Sequence, residues 1–268
     1  MMSTIDISIE SLLWGLLLMA IPFYFLWKYR TGLVSSAVTG LARMVIQLFL
    51  VGLYLKYLFL WDNPILNVLW VVIMVFVATE TALTRTKFKR SVMMIPILVG
   101  FATGALLVGF YFLGIVLRLD NVFSVQYFIP IMGILMGNML GANVIALNTF
   151  YSHLRRENTF YYYMLGNGAT VSEALSPFIK QALVRAFSPV IANMAVMGLV
   201  ALPGTMIGQI LGGSTPDVAI KYQMMIIVIT ISSSMVSIAV TLNMIKRVAF
   251  DTDGRIKNVS KESSREKR

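Results

Sequence analysis

The sequence contains no cysteine and only one histidine among its 268 residues. Disulfides, thiolate metal sites and cysteine nucleophiles are therefore excluded. A single histidine also leaves too few imidazoles for a histidine-based metal cluster and only one candidate base for a catalytic triad. Charged residues make up 13% of the chain, against roughly 25% in soluble domains. Hydrophobic residues make up 58%, so the composition indicates a membrane protein.

A phosphate-binding loop is also missing, because no G-x-x-x-x-G-K-[ST] pattern occurs in the chain. The Gly166-Asn-Gly168 turn lacks the lysine that such a loop needs, so the chain cannot hydrolyse ATP alone by that route. No helix face carries a carboxylate pair or a nucleophile beside a base. We therefore expect no catalytic residues and no enzyme activity.

Seven apolar stretches are long enough to cross a bilayer, which takes about 20 residues. They cover residues 9–27, 36–60, 64–83, 92–117, 127–149, 188–212 and 219–244. The sequence thus predicts an all-α, polytopic membrane protein with about seven transmembrane helices. We assign residues 1–250 to one transmembrane domain and expect a multi-pass protein of the plasma membrane.

Basic residues give the chain a formal net charge of +10 and lie in clusters between the apolar stretches. Cytoplasmic membrane loops have this pattern, so the charge indicates a lipid bilayer rather than nucleic acid as the partner. The clusters alternate with loops that are poor in Lys and Arg. This alternation predicts an external N-terminus and a cytoplasmic C-terminus, with a mobile basic tail over residues 251–268.

A polar segment at about residues 150–186 is too polar to span and too patterned for disorder. It has two helical stretches around a turn, in which Gly166 and Gly168 would end the first helix. Thr170 or Ser172 would cap the second helix, with Glu173 in its first turn. The only histidine, His153, is expected on the surface of this connector.

Two apolar stretches carry glycine at every fourth position, over Gly133–Gly141 and Gly204–Gly212. These ladders favour close helix packing, either within one subunit or at a subunit interface or moving pore wall. Pro203 breaks the helical hydrogen-bond pattern inside the sixth stretch. That break is either a harmless kink or a hinge in a transport path. The hypothesis of a path or hinge includes Pro203, Gly204, Gly208, Gln209, Lys221, Tyr222, Gln223, Arg43, Gln47 and Asn138.

Charged side chains lie inside the second and third stretches, where ionisable groups are costly and normally pair. Lys56 is near enough to the outer end to reach the headgroups. Arg43 and Glu80 both lie near the cytoplasmic side of adjacent antiparallel helices. They form either an intramembrane ion pair or two separate contacts with the lipid headgroups. The 18 methionines suit a soft metal ion or simple apolar filling, and the sequence assigns no metal site.

Longer blocks carry a resemblance to a known family. The most specific are Leu202-Pro-Gly204, within the run from Gly198 to Gly213, and Ile220-Lys-Tyr-Gln223. Further blocks are Arg43-Met-Val-Ile-Gln-Leu48, Pro130-Ile-Met-Gly133 and Leu165-Gly-Asn-Gly-Ala-Thr170. Over about residues 35–245 the chain resembles the Fet-type iron-efflux ABC permeases, a family similar to plant permeases linked to aluminium tolerance.

The resemblance implies the permease subunit of an ATP-driven transporter that exports iron or a related metal. It implies a homodimer working with a separate cytoplasmic ABC ATPase, which would hold ATP and Mg while this chain binds no cofactor. The expected ATPase contacts in the connector are Gly166, Gly168, Ala169, Thr170 and Glu173. Metal ion, metal chelate and sugar nucleotide all remain open as cargo.

Two other functions remain open at the level of the sequence. An ion-coupled secondary transporter or channel would work without an ATPase, but it needs buried acids in mid-span, where only Glu80 comes close. A membrane scaffold without transport predicts no broken helix.

Overall fold

The computed structural model describes residues 7–251, 254, 255 and 257. The helices run over Ile9–Leu17 (α1), Ala20–Lys28 (α2), Val34–Trp61 (α3), Pro64–Thr86 (α4), Arg90–Phe110 (α5), Val125–Arg156 (α6), Asn158–Gly166 (α7), Val171–Val196 (α8), Gly204–Leu211 (α9) and Pro216–Val248 (α10). Helix α5 continues as a π-helical stretch over Tyr111–Val116. The described chain is therefore all-α, as predicted.

Six of these helical stretches are long and apolar enough to cross a membrane. They are α1 together with α2, then α3, α4, α5 with its π-helical end, α6 and α10. All six correspond to predicted spans, and their boundaries differ from the predicted ones by a few residues. Local signals explain several ends, because Asn63 caps α4 with Pro64 in its first turn, and α10 begins at Pro216.

The sixth predicted span, residues 188–212, is not one helix. Helix α8 begins in the polar connector and continues through Pro177 and Pro189 to Val196. The chain is irregular up to Pro203, and α9 then begins at Gly204. The predicted break before α9 is confirmed. The second helix of the connector and the first part of the predicted span, however, form the single helix α8, because α8 continues through both of its prolines.

Helices α5, α6 and α10 pack against one another, with α6 and α10 parallel and α5 running in the opposite direction. At Gly100, an added Cβ would collide with Thr241 Oγ1 and lie 2.8 Å from the Ser237 carbonyl oxygen. At Gly104 it would lie 2.8 Å from the Ser233 carbonyl oxygen. Glycine on α5 thus lets the two backbones meet across a row of small hydroxyl side chains.

The close helix-to-helix contacts of Gly100 and Gly104 are not repeated in the two predicted glycine ladders. A Cβ added at Gly137, Gly141, Gly204 or Gly208 would meet no heavy atom within 4 Å, and at Gly133 the nearest atom would lie 3.5 Å away. At Gly212 it would lie 3.2 Å from the Gly208 carbonyl oxygen, a contact within the same stretch of chain. Gly137, Gly141, Gly204 and Gly208 therefore line open space rather than a packed helix contact.

The first three helices lie at the edge of the bundle. None of the residues in the most apolar window of α1 and α2 is buried, and only 6% are buried in that of α3. Helix α3 is attached near its end, where the Tyr54 and Trp70 rings lie 4.2 Å apart and Leu58 is buried.

The two ends of the bundle differ. At one end, here called the loop end, Asn67 donates a hydrogen bond to the Phe123 carbonyl oxygen and the Val125 amide donates to Asp62. These contacts join the starts of α4 and α6. The opposite end, here called the connector end, carries α7 and the start of α8.

Candidate functional site

A cavity of about 560 Å³ opens at the loop end between α6, α9 and α10. Its polar lining consists of Gln126, Tyr127, Thr205, Gln209, Ser214 and Tyr222. The rest of the lining is apolar, with Pro130 and Ile131 on α6 and Val218 and Ile226 on α10. Helix α9 forms one wall because the Thr205 hydroxyl donates a hydrogen bond to Gln223 Oε1 on α10. We call this space the loop-end cavity.

Sequence accounts for the position of α9. Pro203 occupies the position before the helix in an extended conformation, and the irregular stretch before it contains Gly198 at a φ of +87°. A positive φ favours glycine, since it has no Cβ to collide with the backbone. The turn therefore separates α9 from α8 and lets it stand against α10. Gly208, on the cavity side of α9, leaves room that a larger side chain would fill.

A second cavity, of about 240 Å³, lies further along the same two helices. We call it the mid-bundle groove. It is lined by Gly137, Asn138, Gly141, Ala142 and Ile145 of α6, Ala186, Phe187, Pro189 and Val190 of α8, and Thr230, Ile231 and Ser234 of α10. Asn138 is exposed, and its amide nitrogen donates only to the Ile134 carbonyl one turn earlier on its own helix.

The two cavities follow one crevice between the parallel helices α6 and α10. Helix α9 lines one side of the crevice at the loop end, and the second half of α8 lines it further down. Next to the groove, the buried Asn143 donates a hydrogen bond of 2.9 Å to Ser237 Oγ across the α6–α10 contact. The crevice therefore carries polar side chains along a mainly apolar wall, as a path for a polar solute requires.

The connector turn is built as the sequence predicts. Helix α7 ends at Gly166, Gly168 has a φ of +89°, and Thr170 caps α8. The Glu173 amide donates to Thr170 Oγ1 at 3.3 Å, and the Thr170 amide donates back to Glu173 Oε2 at 2.8 Å. This reciprocal capping box holds the pKa of Glu173 below its usual value, chiefly through the backbone hydrogen bond from Thr170.

The chain after α10 folds back onto this connector. The Tyr161 side chain of α7 is fully buried, and its hydroxyl donates a 2.9 Å hydrogen bond to the Gly254 carbonyl oxygen. The Phe250 ring lies 6.0 Å from the Tyr161 ring, and Lys246 Nζ lies 3.0 Å from Ser172 Oγ at the start of α8. We call residues 249–251 with Gly254 the strap.

The strap includes the first described residues of the segment predicted to be a mobile tail. Asp251 and Gly254 lie in a hydrogen-bonded turn, with the Gly254 amide donating to the Asp251 carbonyl oxygen at 2.9 Å. Gly254, within the predicted tail, is therefore packed against the connector. Residues 252, 253, 256 and 258–268 of that tail lie outside the described part of the chain.

The structure brings together part of the predicted path. Gly208, Gln209 and Tyr222 line the loop-end cavity, Gln223 is buried beside it, and Asn138 lines the mid-bundle groove. Pro203 and Gly204 mark the start of α9, and Lys221 is exposed next to Tyr222.

Arg43 and Gln47 do not join these residues. Both are exposed on α3, away from the two cavities. The predicted partner of Glu80 was Arg43, but in the structure Glu80 pairs with Arg90, whose Nη2 lies 2.6 Å from Glu80 Oε1. The short turn between α4 and α5 places Arg90 next to Glu80, whereas α3 packs against the bundle only near its far end.

Sequence reasoning missed several residues that the structure puts at the site. Gln126, Tyr127, Thr205 and Ser214 line the loop-end cavity, and only the packing of α6, α9 and the loop after α9 brings them together. The contact of Gly100 and Gly104 with α10 was also missed. Its signal was available, because Ser233, Ser237 and Thr241 recur at four-residue spacing and match the glycine spacing on α5.

The six helical stretches that are long and apolar enough to cross a membrane define a multi-pass membrane protein. The chain belongs to the family described as "Uncharacterised protein family (UPF0014)", whose model matches residues 9–250.

Three relatives illustrate the family. The "Probable iron export permease protein FetB" of Escherichia coli (strain K12) is 30% identical over 236 residues, covering 88% of this chain and 90% of the relative. The "UPF0014 membrane protein STAR2" of Oryza sativa subsp. japonica is 31% identical, covering 78% of this chain and 72% of the relative. "Protein ALUMINUM SENSITIVE 3" of Arabidopsis thaliana is 29% identical, covering 79% and 76%. No solved structure matches the chain.

Proposed function

We propose that this chain is the membrane-spanning permease subunit of an ATP-driven ABC transporter. It works as a homodimer with a separate ATP-binding subunit and exports iron or a related metal. The relative named as a probable iron export permease, similar along nearly the whole chain, supports iron as the cargo. In this proposal the connector end is cytoplasmic and the loop end is external.

One observation carries the proposal. Helix α8 runs without interruption for 26 residues, about 39 Å at 1.5 Å per residue. It starts at the capped connector turn and reaches the mid-bundle groove at Ala186 and Pro189. A displacement of the turn by an ATPase would therefore be transmitted along α8 to the wall of the crevice. An ATPase is the partner that such a connection needs, since this chain has no phosphate loop.

The crevice supports the homodimer. Asn138 lies midway along α6, where its exposed amide has polar atoms that hydrocarbon cannot satisfy. A second copy of the chain, related by a two-fold axis, would cover the crevice and enclose both cavities. Two copies also provide two connector turns, one for each ATPase subunit.

The test is transport by purified protein in liposomes. We expect the full chain to co-purify with a phosphate-loop ATPase of its own organism and the reconstituted pair to move radioactive iron only when ATP is present. Gly168→Leu should reduce iron transport while the ATPase still hydrolyses ATP, because leucine at a φ of +89° distorts the turn. The matched control is Gly40→Leu on α3, where an added Cβ meets nothing within 4 Å.

The alternative of an ion-coupled secondary transporter gives the opposite result. Transport that needs no ATPase and follows a proton or sodium gradient would refute the proposal.

A further inference from the structure

We propose that the cargo occupies the loop-end cavity as a complex in which the metal's own oxygen ligands already offset its charge, and not as a bare metal ion. This inference rests on the proposed function and names the chemical form of the cargo. Three features of the described residues support it: the donor set, the start of α9 and the volume.

The donor set of the cavity contains no anionic ligand. Its polar side chains are amides and hydroxyls, and none of its described lining residues is Asp, Glu, His or Met. Elsewhere among the described residues, no group of three or more His, Cys, Asp and Glu could hold a metal ion. Iron ions favour imidazole and carboxylate ligands, and removing a bare ion from water is costly unless opposite charge replaces the water.

One helix end makes the same cavity less favourable for a cation. Thr205 lies in the first turn of α9, which has no side-chain cap and no acidic residue in that turn. The starts of α6 and α10 differ, because Asp62 accepts a hydrogen bond from the Val125 amide and Asp217 lies in the first turn of α10. A helix N-terminus carries about half a positive charge from its unpaired amide groups, so the start of α9 disfavours a bare metal ion and attracts oxygen atoms that carry partial or full negative charge.

The volume is that of an organic ligand site. A bound water accounts for about 30 Å³ and small-molecule sites span roughly 300–1,000 Å³. The cavity, at about 560 Å³, has room for a metal ion together with an organic ligand shell. The Gln126 and Gln209 amides and the Tyr222 hydroxyl can donate hydrogen bonds to the oxygens of such a shell, while Ile131 and Ile226 contact its carbon atoms.

The experiment measures binding of radioactive iron to the full chain in lipid nanodiscs, without an ATPase. One arm presents hydrated Fe²⁺ kept reduced by ascorbate, and the other presents Fe³⁺ as its uncharged complex with three hydroxypyridinone chelators. We expect saturable binding of the complex and no binding of the hydrated ion above empty nanodiscs. The gallium complex of the same chelator should compete, because the cavity recognises the ligand shell.

Cavity variants locate the binding. Gln209→Leu and Tyr222→Phe should each weaken binding of the iron complex by about five- to tenfold, the loss expected for one hydrogen bond. Gln181→Leu makes the same chemical change on an exposed part of α8 outside the cavity and should leave binding unchanged. Size-exclusion chromatography checks that each variant is folded.

Three results would overturn the inference: saturable binding of hydrated Fe²⁺, binding of the complex that both cavity variants leave unchanged, or absence of saturable binding of the complex. Failure of this inference can be distinguished from failure of the proposed function, because the binding measurement in nanodiscs needs no ATPase. Iron transport that depends on ATP but proceeds with hydrated Fe²⁺ alone would refute the present inference and leave the proposed function standing.

Discussion

Replacing Gly100 with alanine adds one methyl group where α5 meets α10. The new Cβ would collide with Thr241 Oγ1, and it would lie 2.8 Å from the Ser237 carbonyl oxygen and 3.3 Å from Thr241 Cβ. A rotation of the Thr241 side chain relieves the first contact, but a backbone carbonyl cannot move without the helix. Alanine at this position therefore forces α5 and α10 apart.

The magnitude follows from two opposing effects. Overpacking a well-packed contact costs about 1–3 kcal/mol, and alanine gains about 1 kcal/mol over glycine within a helix. Gly52→Ala on α3 is the matched control, since an added Cβ there meets nothing within 4 Å. Both variants gain the helix propensity, so the difference in their stability isolates the overpacking cost of about 1–3 kcal/mol.

The assay is heat challenge in detergent followed by fluorescence-detected size-exclusion chromatography. Each kcal/mol should lower the apparent midpoint temperature by roughly 2–4 °C for a chain of this size. Gly104→Ala should behave similarly, because its Cβ would lie 2.8 Å from the Ser233 carbonyl oxygen. A Gly100→Ala midpoint equal to or above that of Gly52→Ala would refute the reasoning.

Three further predictions concern the connector and the topology. Tyr161→Phe removes the donor to Gly254 and should cost about 1 kcal/mol, seen as faster tryptic cleavage at Arg255; unchanged cleavage would contradict it. Burial raises the pKa of Tyr161 from 10.0 to about 12, so this hydrogen bond should be complete below pH 10 and lost as the pH rises through about 12. Thr170→Ala should destabilise the start of α8 by about 1 kcal/mol and speed hydrogen exchange there. Because the folded pKa of Glu173 is lowered, the capping box should be intact above the usual Glu pKa and weaken as the pH falls through the folded value; equal exchange rates in variant and wild type would rule out this role. Finally, a cysteine at Ser172 should react with an impermeant maleimide only from the cytoplasm and one at Ser214 only from outside, and labelling of both from one side would contradict the proposed orientation.

Features that depend on neighbouring residues were predictable from the sequence. The apolar stretches predicted the long helices, and Gly166, Gly168 and Thr170 predicted the connector turn with its cap. Pro203 predicted the break before α9. In each case the cause lies within a few residues of its effect.

Features that depend on distant parts of the chain were not predictable. Asn138 and Tyr222 were singled out as polar residues, but nothing in the sequence assigns them to two cavities of one crevice. Arg43 was paired with Glu80 because both lie at a similar depth, whereas the structure brings Arg90 closer. The glycine ladders show the same limit, because the spacing alone cannot distinguish Gly100, which packs on α10, from Gly208, which faces a cavity.

The packing of α5 against α10 also has a consequence for how the protein is made. Gly100 leaves the ribosome about 140 residues before Thr241, which at roughly 5–20 residues per second means a delay on the order of 10 s. During that time α5 sits in the membrane without the helix that it finally packs against. Helices α1 to α3, by contrast, make few contacts with the rest of the bundle, so little of their final packing depends on helices that are made later. The insertion machinery or a chaperone therefore has to shield the Gly100–Gly104 face of α5 until the last helix arrives.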